Sequence, residues 1–171
     1  DYNHLSIKNF IDKTNNIPFI EGRGLFSDII IEKKEVTLID ESYNASPVSM
    51  NDCIDYFENF EVIKNQRKII IVGEMLELGK TSKKFHKEIV SKTTKTSIDI
   101  IIFCGDKYKK ALNELSIKSQ NIFYFDEEYK IYNFLNKNIL KNDIILAKGS
   151  NSSRVNKLVN LLLETKRKNN C

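Results

Sequence analysis

Cysteine is scarce in this 171-residue chain. Cys53, Cys104 and Cys171 are odd in number and no pair has Cys-x-x-Cys spacing, which argues against a zinc site and a disulfide framework. Cys53 and Cys104 fall in apolar segments and read as small core residues, which fits a reducing cytoplasm. No apolar run approaches the ~18 residues of a membrane span. Asp1-Tyr2-Asn3-His4 has neither the basic nor the apolar region of a signal peptide. A charge surplus is missing too: 27 basic against 23 acidic residues leave +4, short of the basic stripe of a nucleic-acid binder. Gly-x-Gly-x-x-Gly is absent, so no dinucleotide fingerprint is present. Gly79-Lys80-Thr81 has the closing letters of a phosphate loop, but Glu74 stands where the first glycine is needed and would repel phosphate. No Ser/His/Asp, Cys/His or metal-ligand cluster stands out, and His86 reads as a packed or surface residue.

What is present is an α/β pattern. A hydrophobic content of 41% suffices for one domain with a real core. The chain begins at Asp1 rather than Met, so a piece of a longer polypeptide is expected. Leu5, Ile7, Phe10 and Ile11 suggest a short helix, followed by the breaker cluster Thr14-Asn15-Asn16-Ile17-Pro18. Phe26 to Ile31 and Val36 to Ile39 are β-rich runs joined by Glu32-Lys33-Lys34-Glu35, which predicts a hairpin. Met50, Cys53, Ile54, Phe57 and Phe60 recur at helical spacing behind Pro47, which suits a first turn. Lys68 to Val72, Ile98 to Phe103, Asn121 to Phe125 and Ile144 to Ala147 are apolar runs of buried parallel strands. Helices are predicted between and after them, at Thr81 to about Thr96, Asp106 to Leu115, Glu127 to Asn138 and Ser152 to about Thr165. The expected fold is a Rossmann-like three-layer α/β sandwich with a mostly parallel sheet and an N-terminal β-hairpin. Lys166-Arg167-Lys168 reads as a frayed basic tail.

In such a sheet the strand ends at Asp40, Gly73, Gly105, Asp126 and Lys148 open onto one edge, where ligands bind. Asp40 and Glu41 are either charges at the start of a helix or acceptors for ribose hydroxyls. Tyr43 and Asn44 offer an aromatic face and an amide for a purine, or hold the loop. Arg23 between Gly22 and Gly24 can approach an anion, although an isolated arginine is more often a solvated charge. Glu74 and Glu77 read as caps opening a helix. Lys148-Gly149-Ser150 pairs a cation with a glycine turn and a helix start, suited to a carboxylate or phosphate; Ser150 is equally a helix cap.

Four blocks occur together in order: Gly22-Arg23-Gly24; Leu38-Ile39-Asp40-Glu41-Ser42-Tyr43-Asn44-Ala45-Ser46-Pro47-x-Ser49-Met50; Val72-Gly73-Glu74-Met75-x-Glu77-Leu78-Gly79-x-x-Ser82-x-x-x-His86; and Lys148-Gly149-Ser150. Together they resemble the C-terminal domain of the Mur ligases, most of all the branch that joins D-alanyl-D-alanine to UDP-MurNAc-tripeptide. The resemblance covers about residues 20–165. It implies that 1–20 end a preceding central ATPase domain or form a connector, that 21–166 are the C-terminal domain, and that 167–171 are a tail. It further implies an ATP-dependent, magnesium-requiring cytoplasmic ligase of peptidoglycan synthesis, acting through an acyl phosphate. The partners implied are UDP-MurNAc-tripeptide, D-alanyl-D-alanine and the parent chain's central and N-terminal domains, with the magnesium ligands in the central domain.

Position by position, the resemblance assigns Arg23 to the terminal phosphate. It assigns Asp40, Glu41, Tyr43 and Asn44 to the ATP ribose and base, and Lys148, Gly149 and Ser150 to the incoming dipeptide, with Arg23 and Lys148 catalytic. Two departures stand out: Glu41 where the family often has Asp, and Asn151 where it often has Arg, with Arg154 a candidate stand-in. Because the phosphate loop and metal ligands are expected elsewhere, the 171-residue piece is expected to fold without catalysing. The alternatives are a sister Mur or folylpolyglutamate-type ligase domain, or a non-enzymatic Rossmann-like nucleotide-binding or interaction module.

Overall fold

The computed structural model describes residues 22–168. The N-terminal helix expected around Leu5 to Ile11, its connector and Cys171 lie outside the described residues.

Leu25–Ile31 (β1) and Lys34–Glu41 (β2) form the expected antiparallel hairpin, in a register that sets Leu25 opposite Asp40 and Ile31 opposite Lys34. Its two-residue turn places Glu32 and Lys33 at φ 48° and 63°, in the left-handed region used by hairpin turns whose twist matches that of paired strands. Neither residue is Gly or Asn, so the turn carries no sequence signature. Along β1 the exposed and buried residues alternate, as one solvated face requires.

The rest of the sheet is parallel. Lys68–Gly73 (β3), Ile100–Cys104 (β4), Ile122–Phe125 (β5) and Ile144–Lys148 (β6) join the hairpin in the order β1-β2-β6-β3-β4-β5. β3, β4 and β6 are buried almost throughout, which is why they read as unbroken apolar runs. Strand β6 enters between β2 and β3, setting Lys148 opposite Glu41 on one side and Val72 on the other.

Helices cover both faces. Pro47–Glu58 (α1), Ser82–Thr93 (α2) and Asp106–Glu114 (α3) pack on one side, where Met50, Ile54, Phe57, Ile89, Val90 and Tyr108 meet Ile70, Val72, Phe103 and Leu146. Glu128–Asn138 (α4) and Arg154–Lys168 (α5) cover the other, where Ile131, Leu135, Val155, Leu158 and Leu162 meet Leu38, Ile69, Ile71 and Ile145. Helix α1 starts at a capping box: Ser46 Oγ accepts the Ser49 N–H, Ser49 Oγ accepts the Ser46 N–H, and Pro47 follows the cap. Helix α5 runs through Lys168, past the expected end near Thr165 and into residues read as tail. The 79–81 stretch is a short 3-10 turn leading into α2 rather than its first turn.

At the sheet's amino end, away from the edge of interest, Arg67 donates to both carboxylate oxygens of Asp143, a residue with a fully buried side chain 76 positions away. Asp143 also accepts the Leu140 N–H, so one carboxylate ties the start of β6 to the start of β3.

Candidate functional site

The parallel registers bring the carboxyl ends of β2, β6, β3, β4 and β5 to one edge, as expected. Three loops meet there: residues 40–46 after β2, 73–79 after β3, and 148–153 after β6.

The first loop is bent by its own side chains. Asp40, 4% exposed, turns inward, and its Oδ1 accepts both the Ser42 N–H at 3.0 Å and the Ser42 hydroxyl at 2.7 Å. This is an Asx turn, the local use of a carboxylate two residues before a donor. Asn156 of α5 donates to Ser42 Oγ at 3.2 Å and so fastens the turn to the neighbouring helix. Asp40 therefore shapes the loop from beneath. Asn44 Oδ1 accepts the Ala45 N–H at 2.8 Å, and Tyr43 is left 42% exposed.

Arg23 lies against this loop because of its flanking glycines. Gly22 takes φ 79°, its carbonyl accepts the Tyr43 N–H at 3.1 Å, and a Cβ there would stand 2.7 Å from the Tyr43 nitrogen. Gly24 donates to the Asp40 carbonyl at 2.8 Å. The segment is thereby stitched to residues 40–43, and the exposed Arg23 guanidinium lies 4.7 Å from the centre of the Tyr43 ring. A guanidinium held by an aromatic face uses none of its N–H donors in that contact, so they remain available to an anion.

Lys148 is 3% exposed, and its ammonium points into the first loop, donating to the Asn44 carbonyl at 3.0 Å and lying 3.5 Å from a Glu41 carboxylate oxygen. Its backbone begins the third loop while its side chain holds the first. A cavity of about 370 Å³ borders the pair, lined also by Gly24, Phe26, Cys53 and Tyr56. Burial pushes the Cys53 thiol up to about 12, so it stays protonated at neutral pH.

Ser150 faces the second loop. Its hydroxyl accepts the Leu76 N–H at 3.0 Å and its own N–H donates to the Glu74 carbonyl at 3.2 Å. It does not cap α5 through its side chain. Glu74 was expected to open the helix that follows it; instead its carboxylate accepts the Lys107 N–H at 2.8 Å and caps α3 across the β4 crossover. Gly105 makes room, since a Cβ there would lie 2.3 Å from Glu74 Cγ. Arg154, the candidate stand-in for an arginine at 151, donates to the Asp126 carbonyl at the end of β5. Near Gly149, the buried Ser153 hydroxyl has no hydrogen-bond partner among the described residues.

The structure thus brings Arg23, Asp40, Glu41, Tyr43, Asn44 and Lys148 together, with Gly149 and Ser150 adjoining. Ser42 and Asn156 were missed from sequence. The Asp-x-Ser spacing signals the Asx turn, whereas nothing local signals Asn156. Among the described residues no three His, Cys, Asp or Glu side chains converge as metal ligands. No helix among them is long and apolar enough to cross a membrane.

A six-stranded, mostly parallel sheet between two layers of helices, with interlocked polar loops along its carboxyl edge, defines a three-layer α/β domain. More narrowly, the family profile for the Mur ligase, glutamate ligase domain matches residues 28–151, and the chain belongs to that family. It is similar to the UDP-N-acetylmuramoyl-tripeptide–D-alanyl-D-alanine ligase of Bacillus subtilis (strain 168), 27% identical over 157 residues covering 90% of this chain and 34% of that protein. The ligase of the same description from Buchnera aphidicola subsp. Acyrthosiphon pisum is 32% identical over 154 residues, covering 88% of this chain and 31% of the other. Among solved structures, MurF ligase from Thermotoga maritima in complex with ADP superposes with a TM-score of 0.68 at 25% identity, covering 90% of this chain and 33% of that one. MurF from Acinetobacter baumannii shares the fold with a TM-score of 0.72 at 21% identity, over 94% of this chain and 34% of its own. The chain spans about a third of the length of the curated relatives it matches.

Proposed function

We propose that this chain is the C-terminal domain of a cytoplasmic, ATP-dependent ligase that joins D-alanyl-D-alanine to UDP-MurNAc-tripeptide in peptidoglycan precursor synthesis. The observation that carries the reading is the placement of Arg23. Two backbone bonds and a glycine that tolerates no Cβ hold this exposed cation over Tyr43, at the edge where the Asp40–Asn44 and Lys148–Ser150 loops meet. Membership of the Mur ligase family and the ADP complex of the Thermotoga relative support a nucleotide at that edge.

The reaction has two steps. A terminal carboxylate oxygen of the tripeptide attacks the γ-phosphorus of ATP, giving an acyl phosphate and ADP. The dipeptide amine then attacks the acyl carbon, loses a proton and expels phosphate. Phosphorylation replaces an oxide leaving group with phosphate, a far better one. The chain's residues position and neutralise charge. Arg23 lies where a guanidinium can offset negative charge spread over the transferred phosphoryl oxygens. Glu41, Tyr43 and Asn44 face the ribose and base, with Asp40 setting the loop's shape. Gly149 and Ser150 face the incoming dipeptide, and Lys148 joins the two halves. Magnesium and the phosphate loop belong to the rest of the parent protein, together with the UDP-sugar pocket, so the isolated chain is expected to be inactive.

Arg23→Ala in the complete ligase tests the reading. Turnover should fall about 100-fold or more, as for loss of a preorganised charge-stabilising donor, while D-alanyl-D-alanine affinity changes little. Equal loss in both would overturn the phosphate role.

A further inference from the structure

Residues 74–78 belong to no helix, yet they are fastened at consecutive positions. The Glu74 carbonyl accepts the Ser150 N–H and the Leu76 N–H donates to the Ser150 hydroxyl, so Ser150 grips the segment on both sides of Met75. Between those two contacts, the Met75 N–H donates to His86 Nε2 at 3.2 Å. His86 sits on α2 with no exposed surface, and its Nδ1 lies 2.7 Å from the Ser82 carbonyl one turn earlier. A carbonyl only accepts, so the proton is on Nδ1 and the Nε2 lone pair is the acceptor for Met75. The Tyr108 ring packs edge-on at 4.7 Å and limits rotation of the imidazole.

We propose that His86 is a positioning residue for the ligation. Its unprotonated Nε2 anchors Met75 and thereby sets Ser150 and the 148–150 loop for the incoming dipeptide. This rests on the function proposed above. A proton on Nε2 would turn the acceptor into a donor facing the Met75 N–H, so the anchor fails in acid. The charged and titratable groups around the ring are Lys107 and Tyr108 of α3, Glu74 of the anchored segment itself, and the Ser82 hydroxyl on its own helix. Burial outweighs the rest and holds the imidazole neutral at physiological pH.

The test uses the complete ligase with His86→Gln, whose amide oxygen can accept the Met75 N–H, and His86→Met, which fills space without an acceptor. His86→Met should raise KM for D-alanyl-D-alanine about 10-fold, with KM for ATP changed less than about 2-fold. His86→Gln should lie near the parent enzyme and lose the acid-side rise in dipeptide KM. Equal rises in both KM values for His86→Met, or no advantage of Gln over Met, would overturn the proposal. Should His86→Met not fold, ¹H–¹⁵N correlation spectra of the unsubstituted chain decide. An Nδ1–H tautomer, with Met75 and Leu76 amide protection falling as His86 titrates, supports it; an Nε2–H tautomer or pH-independent protection overturns it. A complete ligase with no dipeptide-dependent ADP release would refute the functional reading instead, and the spectra would still judge the anchor.

Discussion

Replacing Lys148 by Met isolates the tie between the two halves of the candidate site. The Met side chain keeps most of the apolar stem and removes the ammonium that donates to the Asn44 carbonyl at 3.0 Å and pairs with Glu41 at 3.5 Å. A hydrogen bond from a charged donor is worth about 1.5–3 kcal/mol. Two effects offset part of it: the variant no longer desolvates an ammonium, and Glu41, whose side chain is 32% exposed, recovers hydration. A net loss of about 1–2 kcal/mol follows, which for a domain of this size lowers Tm by about 2–8 °C. Because the ammonium is nearly enclosed, with 4% of its side chain exposed, the deficit should persist in high salt, unlike that of a surface pair. Thermal melts of the chain and of Lys148→Met at low and high ionic strength make the comparison. An unchanged or raised Tm, or a deficit erased by salt, would refute the argument. On the proposed function, the same change in the complete parent protein should raise KM for ATP more than KM for the dipeptide.

Gly22→Ala should destabilise the chain by roughly 1–3 kcal/mol in denaturant melts, because its φ of 79° is strained for alanine and the new Cβ would press on the Tyr43 nitrogen. Arg67→Ala should cost about 3 kcal/mol, the low end for a broken buried pair, since Asp143 is fully buried while Arg67 keeps 28% exposure. His86 gives stability a pH slope: burial lowers its folded pKa below 6.5, so the unfolded chain binds the proton first. Stability is therefore full above about pH 6.5 and falls below it until the folded imidazole also titrates, and His86→Gln should remove that slope in melts across pH 5 to 8.

Strands β3, β4 and β6 were legible because strands buried on both faces leave unbroken apolar runs such as Ile69 to Val72. The hairpin was legible from its flanks alone, its Glu32-Lys33 turn carrying no signature. The meeting of Asp40 with Lys148 followed from strand ends sharing one edge, whereas Arg23 was joined to them by the resemblance alone. What stayed hidden was the direction in which polar side chains turn. Glu74 caps a helix 33 residues away, and Lys148 reaches the carbonyl of a residue 104 positions earlier. Arg154, the candidate stand-in for an arginine at 151, turns to the Asp126 carbonyl 28 positions earlier. Such partners are set by the order in which strands enter the sheet, β6 between β2 and β3 above all, and local spacing holds no record of that order.

The most direct test of the ligase reading is ADP release by the complete protein supplied with ATP, magnesium and UDP-MurNAc-tripeptide. ADP should appear in step with the tripeptide extended by two residues when D-alanyl-D-alanine is the acceptor, and neither should form with single amino acids such as glutamate. ADP release that proceeds with a single amino acid and ignores the dipeptide would contradict it.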